Sequence, residues 1–197
     1  MELALFDFDD TVTHGDSYAR FLRRVATPEQ RARAWWLIGP WLAAFRLRLI
    51  SAGRIRARVT ALVFSGRHAD DIARLAASYA RDTLPDMVQP EMLEQIHWHR
   101  AQGHVVAIVS ASLDLYLRPW CAQWGIELIC NRLEVRDGRL TGGFEGGDCG
   151  GHKARYVRER FDLPRYTRIH AYGDSREDKP MLALAHERWY RGRPVTR

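Results

Sequence analysis

The fold is decided by the stretch from residue 3 to residue 12, which reads Leu-Ala-Leu-Phe-Asp-Phe-Asp-Asp-Thr-Val. It begins as a short apolar run, and a run of this kind predicts a buried β-strand. The run ends in the carboxylates Asp7, Asp9 and Asp10. In open α/β sheets, ligands bind beyond the carboxyl ends of the strands. The stretch therefore predicts a strand that delivers acidic side chains to a binding site.

The next part of the chain carries almost no strand signal. Between residues 17 and 102 the sequence predicts five helices, at Arg20–Val25, Pro28–Ser51, Ile55–Phe64, Asp70–Asp82 and Gln89–Gln102. Pro28 suits a first helical turn, and Thr27 precedes it as a helix start. This long helical block separates the first strand from everything that follows.

Strand and helix signals alternate after residue 104. Strands are predicted at 105–109, 126–130 and 168–172, a hairpin around Asp137-Gly138, and helices at 113–124, 153–161 and 179–185. A strand, a helical block and then this alternation predict an α/β fold, a doubly wound, mostly parallel, Rossmann-like sheet with an inserted all-helical cap. We expect residues 1–15 and 101–197 to form the core and residues 16–100 to form the cap.

Composition narrows the class of protein. The 197 residues are 46% hydrophobic and 27% charged, which excludes a disordered or fibrous chain. The net charge is +6, but the basic residues are spread along the chain, so we expect no nucleic-acid partner. The positive field favours an anionic substrate instead. Cys121, Cys130 and Cys149 fit neither a zinc motif nor a disulfide framework, and they predict a reducing compartment.

Targeting signals are weak at the start of the chain. Residues 1–6 lack the basic region of a signal peptide. The longest uncharged stretch in the first half, residues 34–45, has twelve residues, whereas a membrane-spanning helix needs about 20. We expect a cytoplasmic protein that is soluble or attached peripherally to the inner membrane surface. The oligomeric state is not readable from the sequence.

Polar residues with complementary chemistry follow the predicted strands. Carboxylates from two strand ends suit Mg²⁺, which is bound by one or two carboxylates together with a substrate phosphate. A serine at a strand end and a lysine that opens a helix favour an anion. An aspartate can also act as a nucleophile through a covalent aspartyl-phosphate. We therefore predict a Mg²⁺-assisted phosphate site built from Asp7, Ser110, Lys153, Asp174 and Asp178.

These residues resemble the four motifs of the haloacid dehalogenase (HAD) superfamily. Asp7-Phe8-Asp9-Asp10-Thr11 resembles the first motif, Ser110 the second, Lys153 the third, and Gly173-Asp174-Ser175 with Asp178 the fourth. The motifs occur in order, and the resemblance covers essentially the whole chain. The helices between the first and second motifs resemble the C1 cap of subfamily IB, the phosphoserine phosphatase-like group.

The resemblance implies a phosphatase. Asp7 matches the nucleophile, and Asp9 matches the general acid and base that protonates the leaving alkoxide and then activates water. Phosphatases of the superfamily carry Asp at the second position, whereas its dehalogenases and P-type ATPases do not. The implied metal ligands are Asp7, Asp9 through its backbone carbonyl, Asp174 and Asp178, and the implied phosphate-binding residues are Ser110, Lys153 and Thr11.

Each of these residues also has a purely structural interpretation. The acidic cluster after the first strand is typical of a helix N-cap. Ser110 also fits an ordinary turn, Lys153 a solvated helix lysine, and Asp178 a cap or surface acid. Ser112 and Thr11 also fit supporting hydrogen-bond donors. The presence of all four motifs in order favours the catalytic interpretation.

The predicted cap contains the residues that would determine substrate specificity. Asp16 lies where phosphoserine-type relatives place an acidic residue against the substrate's amine, and relatives with other substrates also carry Asp there. Three arginines are candidates for binding a substrate carboxylate, namely Arg54, Arg56 and Arg58.

Residues 34–45 form the most unusual segment of the predicted cap. They read Ala-Trp-Trp-Leu-Ile-Gly-Pro-Trp-Leu-Ala-Ala-Phe, with apolar side chains all round the predicted helix. Pro40 is predicted to kink or break this helix. Two interpretations remain open: a helix buried between cap and core, and a peripheral membrane contact or substrate entrance. The second interpretation is favoured by the flanking arginines Arg31, Arg33, Arg46 and Arg48.

The chain also resembles phosphatidylglycerophosphatases of the bacterial C type. The resemblance lies in this segment, in Asp16 and in the stretch from His186 to Arg191. That resemblance implies a lipid-like phosphomonoester such as phosphatidylglycerophosphate as the substrate. The alternatives are a small soluble metabolite, phosphoserine- or histidinol-phosphate-like, and a phosphotransferase that uses an acceptor other than water.

Overall fold

The computed structural model describes residues 1–195, without the side chain of Trp35, so the last two residues of the predicted core lie outside the described residues. The strands are β1 (Glu2–Phe6), β2 (Val105–Leu113), β3 (Glu127–Asn131), β4 (Leu133–Arg136), β5 (Arg139–Phe144), β6 (Arg168–Gly173), β7 (Glu187–Tyr190) and β8 (Arg193–Pro194). The main sheet has the order β3-β2-β1-β6-β7-β8, and β4 and β5 form a separate hairpin. Neighbours in the main sheet are parallel except β7 and β8.

Helices cover both faces of this sheet. The α-helices of residues 1–195 are α1 (Ser17–Val25), α2 (Pro28–Arg46), α3 (Ala52–Phe64), α4 (Ala69–Asp82), α5 (Pro90–Ala101), α6 (Asp114–Gln123), α7 (Lys153–Arg160) and α8 (Lys179–Leu182). The faces of the sheet are covered by α5 and α6 on one side and by α7 and α8 on the other. Ala4 and Phe6 of β1 face a core that includes residues of α5 and α6. Leu3 and Leu5 face a second core that includes residues of α7 and α8. The predicted doubly wound α/β fold is confirmed.

The helices α1 to α4 stand beside the carboxyl end of β1, where the chain leaves the sheet. The cap rests on the core through α4, which packs against α6, and through α3, which packs against the hairpin β4–β5. Helix α5 falls within the range 16–100 predicted for the cap, yet it packs against β2. Its Ile96 is fully buried in the core beneath the sheet. The boundary at residue 100 stays a prediction.

Several element boundaries differ from the sequence prediction. Strand β2 runs four residues past the predicted end at Val109, with a register shift against β3. Helix α2 ends at Arg46 instead of Ser51. It runs through Pro40, so the helix is not broken there, and the alternative of a kink at Pro40 stays a prediction. Strands β7 and β8 were not predicted, because each is short and has charged residues in it.

Helix α2 lies on the outside of the cap. Its capping box at Thr27 and Gln30 fixes its start, and Gln30 also donates to backbone carbonyls of α3. Ile38 is buried, whereas Trp36 is 79% exposed. The interpretation of residues 34–45 as a helix buried between cap and core is therefore wrong. Within the described residues no helix is both long enough and apolar enough to cross a bilayer.

Candidate active site

Asp7 lies directly after β1 at the carboxyl edge of the sheet. Its backbone N–H donates to the carbonyl of Tyr172 on β6, which holds the residue at the strand end. Its side chain is buried, and Oδ1 accepts a hydrogen bond of 2.5 Å from Nζ of Lys153. Burial raises the pKa of Asp7 well above its ordinary value, and the ammonium of Lys153 opposes that rise. Asp7 is thus a buried side chain held against the ammonium of Lys153.

Lys153 opens α7 and bridges two carboxylates. Its Nζ lies 2.5 Å from Oδ1 of Asp7 and 2.5 Å from Oδ1 of Asp178, and the side chain is 2% exposed. Burial disfavours the ammonium, but the two carboxylates outweigh that effect and raise the pKa of Lys153. The structure excludes the alternative of a solvated helix lysine.

Asp178 organises the loop after β6. Burial opposes its ionisation, yet Lys153 and the hydrogen bonds of Ser175 lower the pKa of Asp178 below its ordinary value. Its Oδ2 accepts hydrogen bonds from the backbone N–H groups of Asp174 and Ser175 and from the Ser175 hydroxyl. The fully buried carboxylate is no surface acid, since it holds Lys153 and shapes the loop that carries Asp174.

Gly173 permits this close approach. A Cβ at Gly173 would lie 2.6 Å from Cβ of Asp178. We therefore expect Gly173→Ala to lower the free energy of unfolding by about 1–3 kcal/mol, as overpacking does, and to reduce activity by displacing Asp178. Urea denaturation and phosphate release measure the two effects. Gly39→Ala is the control, because a Cβ at Gly39 meets nothing within 4 Å. Equal stability of the two variants would contradict the prediction.

Asp9 follows Asp7 after one residue and is held by two donors. The backbone N–H of Ser17 donates to Oδ1 at 2.7 Å, and the hydroxyl of Ser112 donates to Oδ2 at 2.5 Å. Burial is the main reason that the pKa of Asp9 rises to about 6, and the charge of Asp16 adds to the rise. A carboxyl with a pKa near neutrality can give up and take back a proton, as a general acid and base requires.

The donor set suits a hard cation. One carboxylate oxygen from each of Asp7, Asp174 and Asp178 can be chosen so that all three lie within 4.8 Å of one another. Burial and the nearby charges of Asp178 and Asp10 raise the pKa of Asp174. A divalent cation relieves that repulsion, and an all-oxygen set matches the preference of Mg²⁺. The residues present therefore fit Mg²⁺.

Two residues predicted to bind phosphate have other partners in the structure. The hydroxyl of Thr11 lies 3.5 Å from Oδ1 of Asp174. Ser110 is fully buried in β2, where its Oγ accepts from the backbone N–H of Ser112, and its neighbour Ala111 lines the catalytic cavity. Thr11 and Ser112 are therefore supporting donors to the carboxylates. Contact of Thr11 and Ser110 with a phosphate stays a prediction.

The catalytic cavity holds about 180 Å³ and has a wall made by the cap. That wall contains Asp16, Tyr18 and Arg56. Asp16 is the N-cap of α1, and its Oδ1 accepts from the backbone N–H of Ala19. Of the three arginines predicted near the substrate, only Arg56 lines this cavity, while Arg58 lies over the ring of Trp41.

Arg56 ties the cap to the core through residues that the sequence analysis missed. It forms ion pairs with Asp148 and, at 2.6 Å, with Glu177. Asp148 also accepts a hydrogen bond from Asn131. Both acidic residues lie next to predicted site residues in the sequence: Asp148 lies in the glycine-rich loop before Lys153, and Glu177 directly precedes Asp178. No sequence pattern shows, however, that both face an arginine of the cap.

A larger cavity of about 490 Å³ lies between α1, α2 and α3. Asp16, Tyr18 and Arg56 line it as well as the catalytic cavity, so the two cavities adjoin. Most of its remaining lining is apolar, including Leu22, Ala34, Ile38, Leu42, Phe45, Ile55 and Val59. The candidate catalytic carboxylates thus have an apolar compartment next to them.

Comparison with known proteins decides the family. The sequence model of the haloacid dehalogenase-like hydrolases matches residues 4–183. The chain belongs to this family. The protein CicA of Caulobacter vibrioides is 32% identical to this hydrolase over an alignment 209 positions long, which covers 98% of the chain and 88% of CicA. With Asp at both positions 7 and 9, the hydrolase is a phosphatase of the family, as predicted.

Solved structures share the fold of the hydrolase. A protein of unknown function from Bordetella pertussis Tohama I has a TM-score of 0.79 at 23% identity, covering 95% of this chain and 88% of that one. A substrate-bound phosphoserine phosphatase has a TM-score of 0.66 at 19% identity, covering 95% and 84%. The resemblance to phosphatidylglycerophosphatases of the C type stays a prediction.

Proposed function

We propose that this hydrolase is a Mg²⁺-dependent phosphomonoesterase that works through an aspartyl-phosphate and accepts phosphate esters with an apolar, lipid-like tail. The observation that carries the proposal is the shared wall of the two cavities. A phosphate beside Asp7 has the apolar compartment within reach of its ester group, and Asp16, Tyr18 and Arg56 stand at the junction.

Each catalytic residue has a defined task in this proposal. The carboxylate of Asp7 attacks phosphorus, and the bond from phosphorus to the ester oxygen breaks. Asp9, with its pKa near 6, gives its proton to the leaving alkoxide. The ionised Asp9 then takes a proton from a water molecule, which attacks the phosphoenzyme and releases inorganic phosphate. Lys153 offsets the repulsion between Asp7 and the incoming phosphate.

Mg²⁺ is assigned to the oxygen donors at the carboxyl edge of the sheet. Asp7 and Asp174 would hold it through side-chain oxygens, and Asp9 through its backbone carbonyl. The carboxylate of Asp178 already binds Lys153 and the loop after β6, so it would hold the ligands in place instead of binding the ion itself. Once bound, the ion would neutralise phosphate charge and orient it for in-line attack.

The apolar compartment has the size and lining that a tail needs. Along α2, the lining residues Ala34, Ile38, Leu42 and Phe45 recur at helical spacing, so they form one face of the helix. A volume of about 490 Å³ falls within the range of about 300–1,000 Å³ that small-molecule sites occupy. Each methylene buried there contributes about 0.8 kcal/mol to binding. A short acyl or alkyl chain is therefore a suitable occupant.

The outer face of the same helix is the proposed membrane contact. Trp36 and Leu37 are exposed on the helix, and Leu47 and Leu49 are exposed directly after it. Large apolar side chains at a surface are typical of an interface with lipid. The exposed arginines of the segment complement an anionic bilayer, namely Arg31, Arg33, Arg46 and Arg48. The apolar compartment lies under this helix, so a lipid-like ester would have a short path from the inner membrane surface to Asp7.

A substrate screen tests the proposed function. We expect phosphate release from a lysophosphatidate-type ester to exceed release from phosphoserine or glycerol phosphate in kcat/KM, because the tail contributes binding energy. We expect chelation by EDTA to abolish release and Mg²⁺ to restore it. A preference for phosphoserine would contradict the proposal of a lipid-like substrate. Faster phosphate transfer to an added alcohol than to water would instead support a phosphotransferase.

Filling the apolar compartment with a larger side chain should reduce activity on esters that carry an apolar tail and spare activity on esters without one. We expect Ala34→Phe to lower kcat/KM for the tailed ester about tenfold or more, because two lost methylene contacts already amount to about 1.6 kcal/mol. Release from glycerol phosphate should stay within about twofold of wild type, since the catalytic residues are untouched. Ala77→Phe, on the exposed side of α4, is the matched control. An equal loss on both substrates would contradict the assignment.

A further inference from the structure

Three histidines and a glutamate meet at the amino-terminal edge of the sheet, opposite the catalytic carboxylates. Glu2 begins β1, and Ala4 of β1 pairs with His170 of β6. Each strand residue advances the chain by about 3.3 Å, so His170 lies about 10 Å along β6 from Gly173, the residue before Asp174. The cluster is therefore separate from the proposed Mg²⁺ site. Its members are Glu2, His99, His104 and His170.

Each of the four side chains contacts at least one other through a polar atom. Nδ1 of His99 lies 2.9 Å from Nδ1 of His104. Oε2 of Glu2 lies 2.7 Å from Nε2 of His170 and 3.6 Å from Nε2 of His104. One nitrogen from each histidine can be chosen so that all three lie within 4.8 Å of one another. The three imidazoles thus surround one small volume, and the carboxylate of Glu2 lies beside it against His170 and His104.

The spacing of the rings matches a tetrahedral ion. A Zn–N distance of about 2.1 Å places each ring centroid about 3 Å from the ion and the centroids about 5 Å from one another. The observed centroid distances are 5.1 Å for His99 and His104, 4.7 Å for His99 and His170, and 5.7 Å for His104 and His170. The spacing of the rings is therefore close to that of a tetrahedral site.

The surroundings keep the imidazoles neutral, which metal ligation requires. Burial lowers the pKa of His99 to about 3, and the neighbouring histidines add to the effect. Burial also lowers the pKa of His104. Nδ1 of His170 is buried and has no hydrogen-bond partner among the described residues, so the protein alone leaves the cluster unsatisfied. The charged groups that face it are Glu2, Arg168 and the N-terminal amine.

A second layer of hydrogen bonds orients the cluster. Nε2 of His99 lies 2.9 Å from the hydroxyl of Tyr172, and Gln95 donates to the same hydroxyl at 3.1 Å. When Nδ1 of His99 binds an ion, Nε2 carries the proton and donates it to Tyr172. An oxygen partner on the other ring nitrogen is the usual support of a metal-binding histidine.

We propose that Glu2, His99, His104 and His170 bind one Zn²⁺ or a similar transition-metal ion. Three imidazole nitrogens and one carboxylate oxygen are a suitable tetrahedral set, and imidazole favours Zn²⁺, Co²⁺ or Ni²⁺ over Mg²⁺. The ion joins β1, α5, β6 and the turn before β2, so it stabilises the folded chain. Glu2 and His104 are partly exposed and provide the entry path.

Co²⁺ titration of the full chain tests the site. Excess Mg²⁺ is present throughout, so that the catalytic carboxylates are occupied. We expect one Co²⁺ per chain with the visible absorption of tetrahedral coordination, displaced by Zn²⁺, and a higher melting temperature with Zn²⁺. His104→Gln removes a ligand at the rim and should weaken Co²⁺ binding at least about 100-fold. His97 is an exposed histidine of α5, and the control variant His97→Gln should bind Co²⁺ as wild type does.

Circular dichroism establishes that each variant is folded. Should His104→Gln fail to fold, Glu2→Gln keeps the shape of its side chain, and we expect it to lose the tetrahedral absorption or weaken binding by a similar factor. Absence of Co²⁺ binding by wild type would overturn the proposal, and so would unchanged binding by the folded variants. These readouts do not depend on phosphatase activity.

Discussion

Replacing Asp7 with Asn is expected to lower phosphate release by about 10⁴-fold or more, the scale seen when a nucleophile is removed. The amide cannot form the acyl phosphate, and its neighbours keep their places because Lys153 retains Asp178 as a partner. Acid quenching of a reaction with radiolabelled substrate should trap a phosphorylated wild-type chain and no phosphorylated variant. The phosphate on the wild-type chain should be released by hydroxylamine, as acyl phosphates are.

The control for this experiment is Asp86→Asn, which makes the same chemical change at an exposed position. Its activity should match wild type. Two results would contradict the assignment of Asp7: phosphate release by Asp7→Asn above one hundredth of wild type, or a labelled phosphoenzyme formed by that variant. Circular dichroism and the melting temperature show whether the variant has kept its fold.

Replacing Lys153 with Met is expected to cost both stability and activity. The variant leaves Asp7 and Asp178 buried without their shared cation, and breaking a buried ion pair on one side costs about 3–5 kcal/mol. Activity should fall by several orders of magnitude, because no fixed charge then offsets the repulsion between Asp7 and phosphate. Urea denaturation measures the first effect and phosphate release the second.

A double variant separates the two effects of Lys153. Lys153→Met with Asp178→Asn removes one of the uncompensated carboxylates, so we expect it to recover part of the lost unfolding free energy and none of the activity. Lys179→Met is the matched control, since Lys179 is exposed and its loss should leave both measurements near wild type. A single variant as stable as wild type would contradict the buried bridge.

The fold was predictable because its signals are local. The apolar run that ends at Asp7 and the alternation after residue 104 follow from the pattern of side chains, and both appear as parallel strands and helices in the structure. Strands β7 and β8 escaped prediction because two to four residues with charged side chains carry too little periodicity. The continuation of α2 through Pro40 was also not predicted, because the sequence does not show which contacts stabilise a helix on either side of a proline.

The site was predictable in part. The motifs identified Asp7, Asp9, Lys153, Asp174 and Asp178. Their convergence was predictable because the carboxyl ends of neighbouring parallel strands meet at one edge of the sheet. The partners of those residues were not readable, since Ser17 and Ser112 reach Asp9 from the cap and from a different strand. The network of Arg56, Asp148 and Glu177 was missed for the same reason, because ion pairs across more than ninety residues leave no local pattern.

The sequence by itself determined the class of fold, the family of hydrolases and the identity of the candidate catalytic carboxylates, because strand-forming runs and the residues after them are short-range features. Tertiary structure alone decided which faces of α2 point to the apolar compartment and to the surface, and it alone brought Glu2 and His170 together across the sheet. Those outcomes depend on contacts between segments far apart in the chain. Packing settles them, because a helix that is apolar all round has no preferred side until its neighbours are in place.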